Sequence, residues 1–221
     1  MCYIVGTYLL VNKGEFMKKK GKIIAISGMD ASGKSTVSRF LQEELKRRNI
    51  QYIVTKQPCL CIKRWGEFKD LLKNQSEELD FKMIGGLISW GRVNTQVKEV
   101  EPALENGIWI ICERYILDIM AWSIFRKAPD KYIKSWILPI YNEDILFLCD
   151  SDCETICRRL NARGEGEKIG EDSKQNVNQL VQLYRKLAKE RAAIFVDTNR
   201  DFKDAKEIIY TTLDKMRCEN E

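Results

Sequence analysis

The apolar run Ile23-Ile24-Ala25-Ile26 leads into a glycine-bounded turn, Gly28-Met29-Asp30-Ala31-Ser32-Gly33, which opens through Lys34-Ser35-Thr36 into an amphipathic stretch over residues 37–45. Few arrangements constrain a fold as tightly. The turn has the spacing G-x-x-x-x-G-K-[ST], which needs a strand to deliver it and a helix to follow it. Both glycines sit where the backbone needs angles or close approaches that a Cβ would forbid. In that context the loop's amides ring a polyphosphate, Lys34 reaches the β- and γ-phosphates, and the Ser35 hydroxyl sits on Mg²⁺. The helix that follows adds unpaired amides and a favourable dipole to the same anion site. The stretch from Gly28 to Thr36 therefore reads as the binding loop for a nucleoside triphosphate.

The rest of the chain supplies the fold around that loop. Strand-like runs at 22–27, 52–56, 108–112, 144–149 and 194–197 alternate with helix-like runs at 35–49, 79–105, 117–126, 154–163, 173–193 and 201–217. Such alternation belongs to a parallel sheet with crossover helices. All the strand runs except 52–56 are nearly continuously apolar, as strands covered on both faces must be. The expected class is α/β: a three-layer P-loop kinase fold, with a five-stranded parallel sheet between helices on both faces. Ligands then bind at the carboxyl ends of the strands. No repeat, low-complexity stretch or linker marks a second domain, so residues 17–221 are expected to form one domain. Residues 1–16 are expected to be a non-native or disordered extension. Met17-Lys18-Lys19-Lys20 is a reasonable start, and Lys13-Gly14-Glu15 can be encoded by a bacterial ribosome-binding sequence just upstream of it.

Composition excludes several chemistries. With 37 basic and 32 acidic residues, the net charge of +5 is mild and dispersed, which suits small polyanions better than nucleic acid. No apolar stretch approaches the roughly 20 residues of a membrane span. There is no histidine, so imidazole acid–base and nucleophilic chemistry are absent. Phosphoryl transfer survives that loss, because it depends mainly on positioning and positive charge. The eight cysteines fit free thiols of a cytoplasmic protein. Cys112 and Cys149 end apolar runs and are expected to be buried. Cys59/Cys61 and Cys153/Cys157 could hold a soft metal in principle, but without a C-x-x-C pair no zinc site is expected.

Four further segments carry chemistry. Glu113-Arg114-Tyr115 follows the third strand, where a carboxylate can hold Mg²⁺ through water and an arginine can clamp a phosphate. Arg92, on the long helix before that strand, faces the same crevice. Thr55-Lys56-Gln57-Pro58 ends the second strand. Arg158, Arg159, Arg163 and Lys168 cluster around a glycine- and charge-rich loop, which suits a lid over about 159–172 closing on a γ-phosphate.

With these segments the chain resembles the thymidylate kinase family, from about residue 19 to the C-terminus. Gly28–Thr36 is similar to the family's G-x-D-G-x-G-K-S-T, and Thr55-Lys56-Gln57-Pro58 to its T-R-E-P. Pro102-Ala103-Leu104-Glu105-Asn106-Gly107 followed by Glu113-Arg114-Tyr115 resembles P-A-L-x-x-G followed by D-R-Y. Asp152-Cys153-Glu154-Thr155 with Arg159 and Arg163-Gly164-Glu165 resembles D-P-E-T and the lid R-x-x-x-R-G-E. The resemblance implies an ATP-dependent kinase of a deoxynucleoside monophosphate, dTMP to dTDP first among the candidates. ATP would lie on Gly28, Met29, Asp30, Ala31, Ser32, Gly33, Lys34, Ser35 and Thr36. Lys34, Arg159, Arg163 and Lys168 would be the catalytic cations, and Ser35 and Glu113 would organise Mg²⁺. The acceptor nucleotide would meet Asp30 at its sugar, Arg114 and Lys56 at its phosphate, and Ile88, Arg92, Asp118 and Trp122 around its base. Family members are usually homodimers packed through long helices such as 79–105, so a homodimer is implied.

The departures gather around the acceptor base. Ile88 stands where the family has an aromatic residue stacking on thymine, and Trp90 or Trp122 could restore the stack. Trp122 takes a usual tyrosine position, and Lys56 replaces an arginine. Ala31 stands where some members carry a catalytic arginine, which matches the type that relies on its lid. Asp118 could read an amino group, which thymine lacks, or could pair with Arg92 or Arg114. The same chemistry on another base therefore stays open. A deoxynucleoside kinase is disfavoured by Gln57, which stands where a general base would be needed. A nucleotide-dependent switch would not require the basic lid, and no N-K-x-D guanine-reading motif is present.

Overall fold

The computed structural model describes residues 21–56, 77–164, 173–199 and 202–218. Residues 1–16 and Lys168 lie outside these, as do Cys59 and Cys61.

Five strands form one parallel sheet in the order β2-β3-β1-β4-β5: β1 (Ile23–Ser27), β2 (Tyr52–Lys56), β3 (Trp109–Glu113), β4 (Ile145–Asp150) and β5 (Ile194–Asp197). The apolar runs of β1, β3 and β4 became central strands, β1 lying fully buried. The more polar β2 lies at an edge, where Val54 is 41% exposed. The strand alternation predicts two covered faces, and two cores form. Ile23 and Ala25 face one core, built with α4 (Ile116–Phe125), α6 (Cys153–Ala162) and α7 (Ser173–Glu190). Ile24 and Ile26 face the other, with α1 (Lys34–Arg47) and α8 (Phe202–Cys218).

The run expected as one helix over 79–105 is instead α2 (Glu77–Thr95), a π-helical turn at Gln96–Val100, and α3 (Glu101–Glu105). Pro102 explains the break. It has no amide proton to give the carbonyl one turn earlier, so the backbone widens before it. The Gln96 side chain is used there, donating to the Pro139 carbonyl at 3.0 Å and accepting from the Tyr141 amide at 2.8 Å.

A helix that periodicity did not single out, α5 (Asp130–Ile137), follows Pro129. Only Ile133 and Trp136 of that helix are buried, in a small cluster with Ala128. Trp136 packs on α2 so closely that a Cβ added at Gly85 would stand 2.1 Å from its ring. Gly→Ala within a helix ordinarily stabilises by about 1 kcal/mol. Gly85→Ala is expected to do the reverse, destabilising by about 1–3 kcal/mol through overpacking. Thermal unfolding should show a drop in Tm of roughly 3–10 °C. An unchanged or raised Tm would mean that Trp136 does not seat on Gly85.

Candidate active site

The sheet order brings three strand ends together. β1 pairs with β3, and β3 with β2, so that Ile26 stands level with Glu113 and Glu113 with Lys56. The loop after β1 thus lies beside the Glu113-Arg114 step after β3.

The loop is shaped by backbone conformations that its sequence permits. Gly28 has φ 145° and Gly33, at the helix N-cap, φ 91°. A side chain on Gly33 would press on Thr198 as well as strain the backbone. Ala31, φ 63°, is also left-handed, an uncommon state for a residue with a Cβ and one that concentrates at functional sites. Lys34, in the first turn of α1, is buried at 7% exposure. Its Nζ donates to the Gly28 and Met29 carbonyls, both at 2.8 Å, and lies 3.9 Å from Asp30. Burial pushes the Lys34 ammonium down, and Arg114 adds to that, while Asp118 and Asp30 oppose it.

Arg114 is left-handed too, φ 65°, with its amide bonded to the Ile26 carbonyl at 3.0 Å. Its guanidinium pairs with the Asp30 carboxylate of the loop. Burial alone would raise the Asp30 carboxyl, but Lys34, Arg114 and Arg163 together hold it below its ordinary value. Arg92, on α2, is 9% exposed, and its Nε has no hydrogen-bond partner among the described residues. Burial draws its pKa down to about 10 against the attraction of Asp118, so it remains a cation at neutral pH. A buried guanidinium nitrogen without a partner is costly unless a ligand supplies the acceptor.

Asp118, in the first turn of α4, is 4% exposed and pairs with no arginine among the described residues. Its Oδ2 accepts from the Tyr115 amide at 3.0 Å and its Oδ1 from the Tyr184 hydroxyl at 2.9 Å. Ile88 and Trp122 are half-buried, whereas Trp90 is 61% exposed. Trp122 meets the Phe125 ring edge-on at 6.0 Å and carries Arg126 5.5 Å from its ring.

On the far side of the loop stands α6, capped by Asp152, whose carboxylate accepts from the Thr155 amide at 2.7 Å. Arg159 donates to the Ala31 carbonyl at 3.2 Å and to the Thr198 carbonyl at 2.6 Å. Arg163 ends the same helix and is exposed. Sequence reasoning missed Thr198, whose hydroxyl donates to the Ser32 carbonyl at 2.7 Å, and Ser151, which lies 3.4 Å from Arg159. It also missed Tyr184. The only available signal for Thr198 was its place just beyond a strand's carboxyl end. Cys112 and Cys149 are buried, and burial pushes both thiols up to about 12. Cys153 and Cys157 stand 3.9 Å apart, and no group of three or more metal-ligating side chains occurs among the described residues.

Ser35 is exposed at the start of α1 and Glu113 ends β3, so the donors beside the loop are hydroxyl and carboxylate oxygens, the set that fits Mg²⁺. A polyphosphate loop on a parallel sheet, with cations on two sides of it, defines a P-loop phosphotransferase. Residues 26–209 match the family model for thymidylate kinase. Among curated relatives, a thymidylate kinase of Legionella pneumophila (strain Corby) is 24% identical over 209 residues, covering 89% of this chain and 95% of its own. One from Halothermothrix orenii is 26% identical over 200 residues, 86% and 95% of the two chains. One from Plasmodium falciparum is 26% identical over 214 residues, 92% and 95%. The chain belongs to the thymidylate kinase family, and so is a nucleoside monophosphate kinase that takes ATP as phosphoryl donor.

Proposed function

We propose that this chain transfers the γ-phosphoryl group of ATP to dTMP, giving ADP and dTDP. The observation that carries the reading to an acceptor monophosphate is the pair Arg92 and Arg114, two partly or wholly buried guanidiniums, Arg114 against the loop and both within the field of Asp118. Arg92 has an Nε without a partner among the described residues. Arg114 takes the acceptor phosphate with Lys56, and Arg92 meets a carbonyl of the base. Asp30, freed from Arg114 as the phosphate arrives, accepts from the sugar hydroxyl. Ile88, Asp118 and Trp122 border the base. Both Asp118 oxygens already accept hydrogen bonds from within the chain, which favours a base without an amino group.

The ATP phosphates lie along Gly28–Thr36, with Lys34 swinging from the Gly28 and Met29 carbonyls to the β- and γ-oxygens. Mg²⁺, held by Ser35 and through water by Glu113, neutralises charge on the phosphates. Arg159, Arg163 and Lys168 supply positive charge to the transferring group from α6 and the lid over about 159–172. Residues 17–221 work as one domain. The partner is a second copy of the chain, packed through the long α2 region, where Trp90 and Val97 are 61% and 53% exposed. Among the described residues no helix is long and apolar enough to cross a membrane, and the placement we propose is cytoplasmic, with no nucleic-acid partner.

Coupled ADP release, measured across all ribo- and deoxynucleoside monophosphates and nucleosides, tests the acceptor. dTMP should give the highest kcat/KM. A base bearing an amino group in first place would reassign the specificity and return Asp118 to the pocket, and Asp118→Ser should then gain dTMP turnover.

A further inference from the structure

We propose that Tyr184 is a positioning residue: it holds the Asp118 carboxylate away from Arg92 and Arg114, so that Arg92 stays open to the acceptor and Arg114 has only its Asp30 pair to exchange for it. The proposal rests on reading those two arginines as acceptor-binding.

Asp118 is the anion that most offsets burial at Arg92, and its charge is also felt by Arg114 and Lys34. A buried carboxylate among buried cations would ordinarily close an ion pair with one of them, since each otherwise bears its desolvation cost alone. Among the described residues it closes none. Its two oxygens are taken by neutral donors instead, the Tyr115 amide at 3.0 Å and the Tyr184 hydroxyl at 2.9 Å. Tyr115 belongs to the same turn as Asp118, so that contact is local. Tyr184 comes from α7, 66 residues further along the chain, and is 2% exposed. Burial, followed by the charge of Asp118, pushes its hydroxyl well above the ordinary tyrosine value, so it stays a donor.

This arrangement has a functional consequence. A carboxylate satisfied by neutral donors still offsets the buried positive charge across space, but it caps neither guanidinium: Arg92 Nε has no partner among the described residues, and Arg114 is paired with Asp30. Arg92 remains available to a base carbonyl, and Arg114 exchanges Asp30 for the dianionic phosphate. Removing the Tyr184 hydroxyl leaves one Asp118 oxygen unsatisfied in a buried site, where Arg92 and Arg114 are cations that already feel its charge. The carboxylate then competes with the acceptor for them.

Steady-state kinetics with saturating ATP and Mg²⁺ and varied dTMP test this on the wild type, Tyr184→Phe, Asp118→Asn and the double variant. Tyr184→Phe should raise KM for dTMP roughly tenfold, with kcat at saturation within about threefold and KM for ATP within about twofold. Asp118→Asn, which removes the competing charge, should lower KM for dTMP. In that background Tyr184→Phe should change it by less than about twofold, because the two effects act through one contact. An equal rise in both backgrounds, a fall in kcat alone, or no rise in KM would make Tyr184 a packing residue and overturn the proposal. So would a rise in KM on Asp118→Asn, which would place the carboxylate on the acceptor itself. Should Tyr184→Phe fail to fold, the direction of the Asp118→Asn shift decides. Wild-type protein that turns over no nucleoside monophosphate would defeat the acceptor reading first, before any variant is compared, and this proposal with it.

Discussion

Lys34→Ala lowers kcat for phosphoryl transfer by at least about 10³, because it removes the charge that neutralises the β- and γ-oxygens as the phosphoryl group departs. From its position after a glycine-rich turn the residue would be expected to face solvent, yet it is buried against two carbonyls of its own loop. Two effects on folding therefore oppose each other. The variant loses those hydrogen bonds, but it also loses a buried ammonium whose desolvation is unfavourable. Tm should move by no more than about 5 °C, so that lost turnover can be separated from lost structure. Activity within threefold of wild type in a folded variant would contradict the role of the loop.

Arg163→Ala lowers kcat by roughly 10²–10³ and leaves KM for ATP within about threefold, as expected of a cation that engages mainly in the transition state. Ala31 cannot supply that charge from the loop. Arg163 is exposed at the end of α6, and its charge already reaches Asp30, so its loss removes little packing. Arg159 differs. Its bonds to the Ala31 and Thr198 carbonyls tie α6 to the loop, and its truncation should raise KM for ATP as well as lower kcat. If Arg163→Ala raises KM for ATP and leaves kcat near wild type, the residue is a binding group and the catalytic cation lies elsewhere.

The loop could be read because each of its requirements is local: glycine where φ is 145° and 91°, apolar residues before, amphipathic ones after. The sheet could be read because β1, β3 and β4 are buried on both faces, which leaves a continuous apolar run. α5 escaped because it buries only Ile133 and Trp136, too few positions to establish a period. Tyr184 escaped for the opposite reason. On α7 it occupies a core position like Val177, Leu180 and Leu187, and nothing in the sequence separates a tyrosine that packs from one whose hydroxyl meets a carboxylate 66 residues away. Asp118 had two open readings, an amino-group reader or an ion-pair partner. The geometry is a third, a carboxylate held by an amide and a phenol, which depends on the packing of α4 against α7 and so on the tertiary fold.

The most direct measurement follows the phosphorus atom. Wild-type protein is incubated with Mg²⁺, dTMP and ATP labelled in the γ-phosphate, the mixture is quenched, and the nucleotides are separated. The predicted result is label in dTDP, equimolar with ADP and dependent on dTMP. Label that stays in ATP, or appears as free phosphate at a rate indifferent to dTMP, would contradict the account.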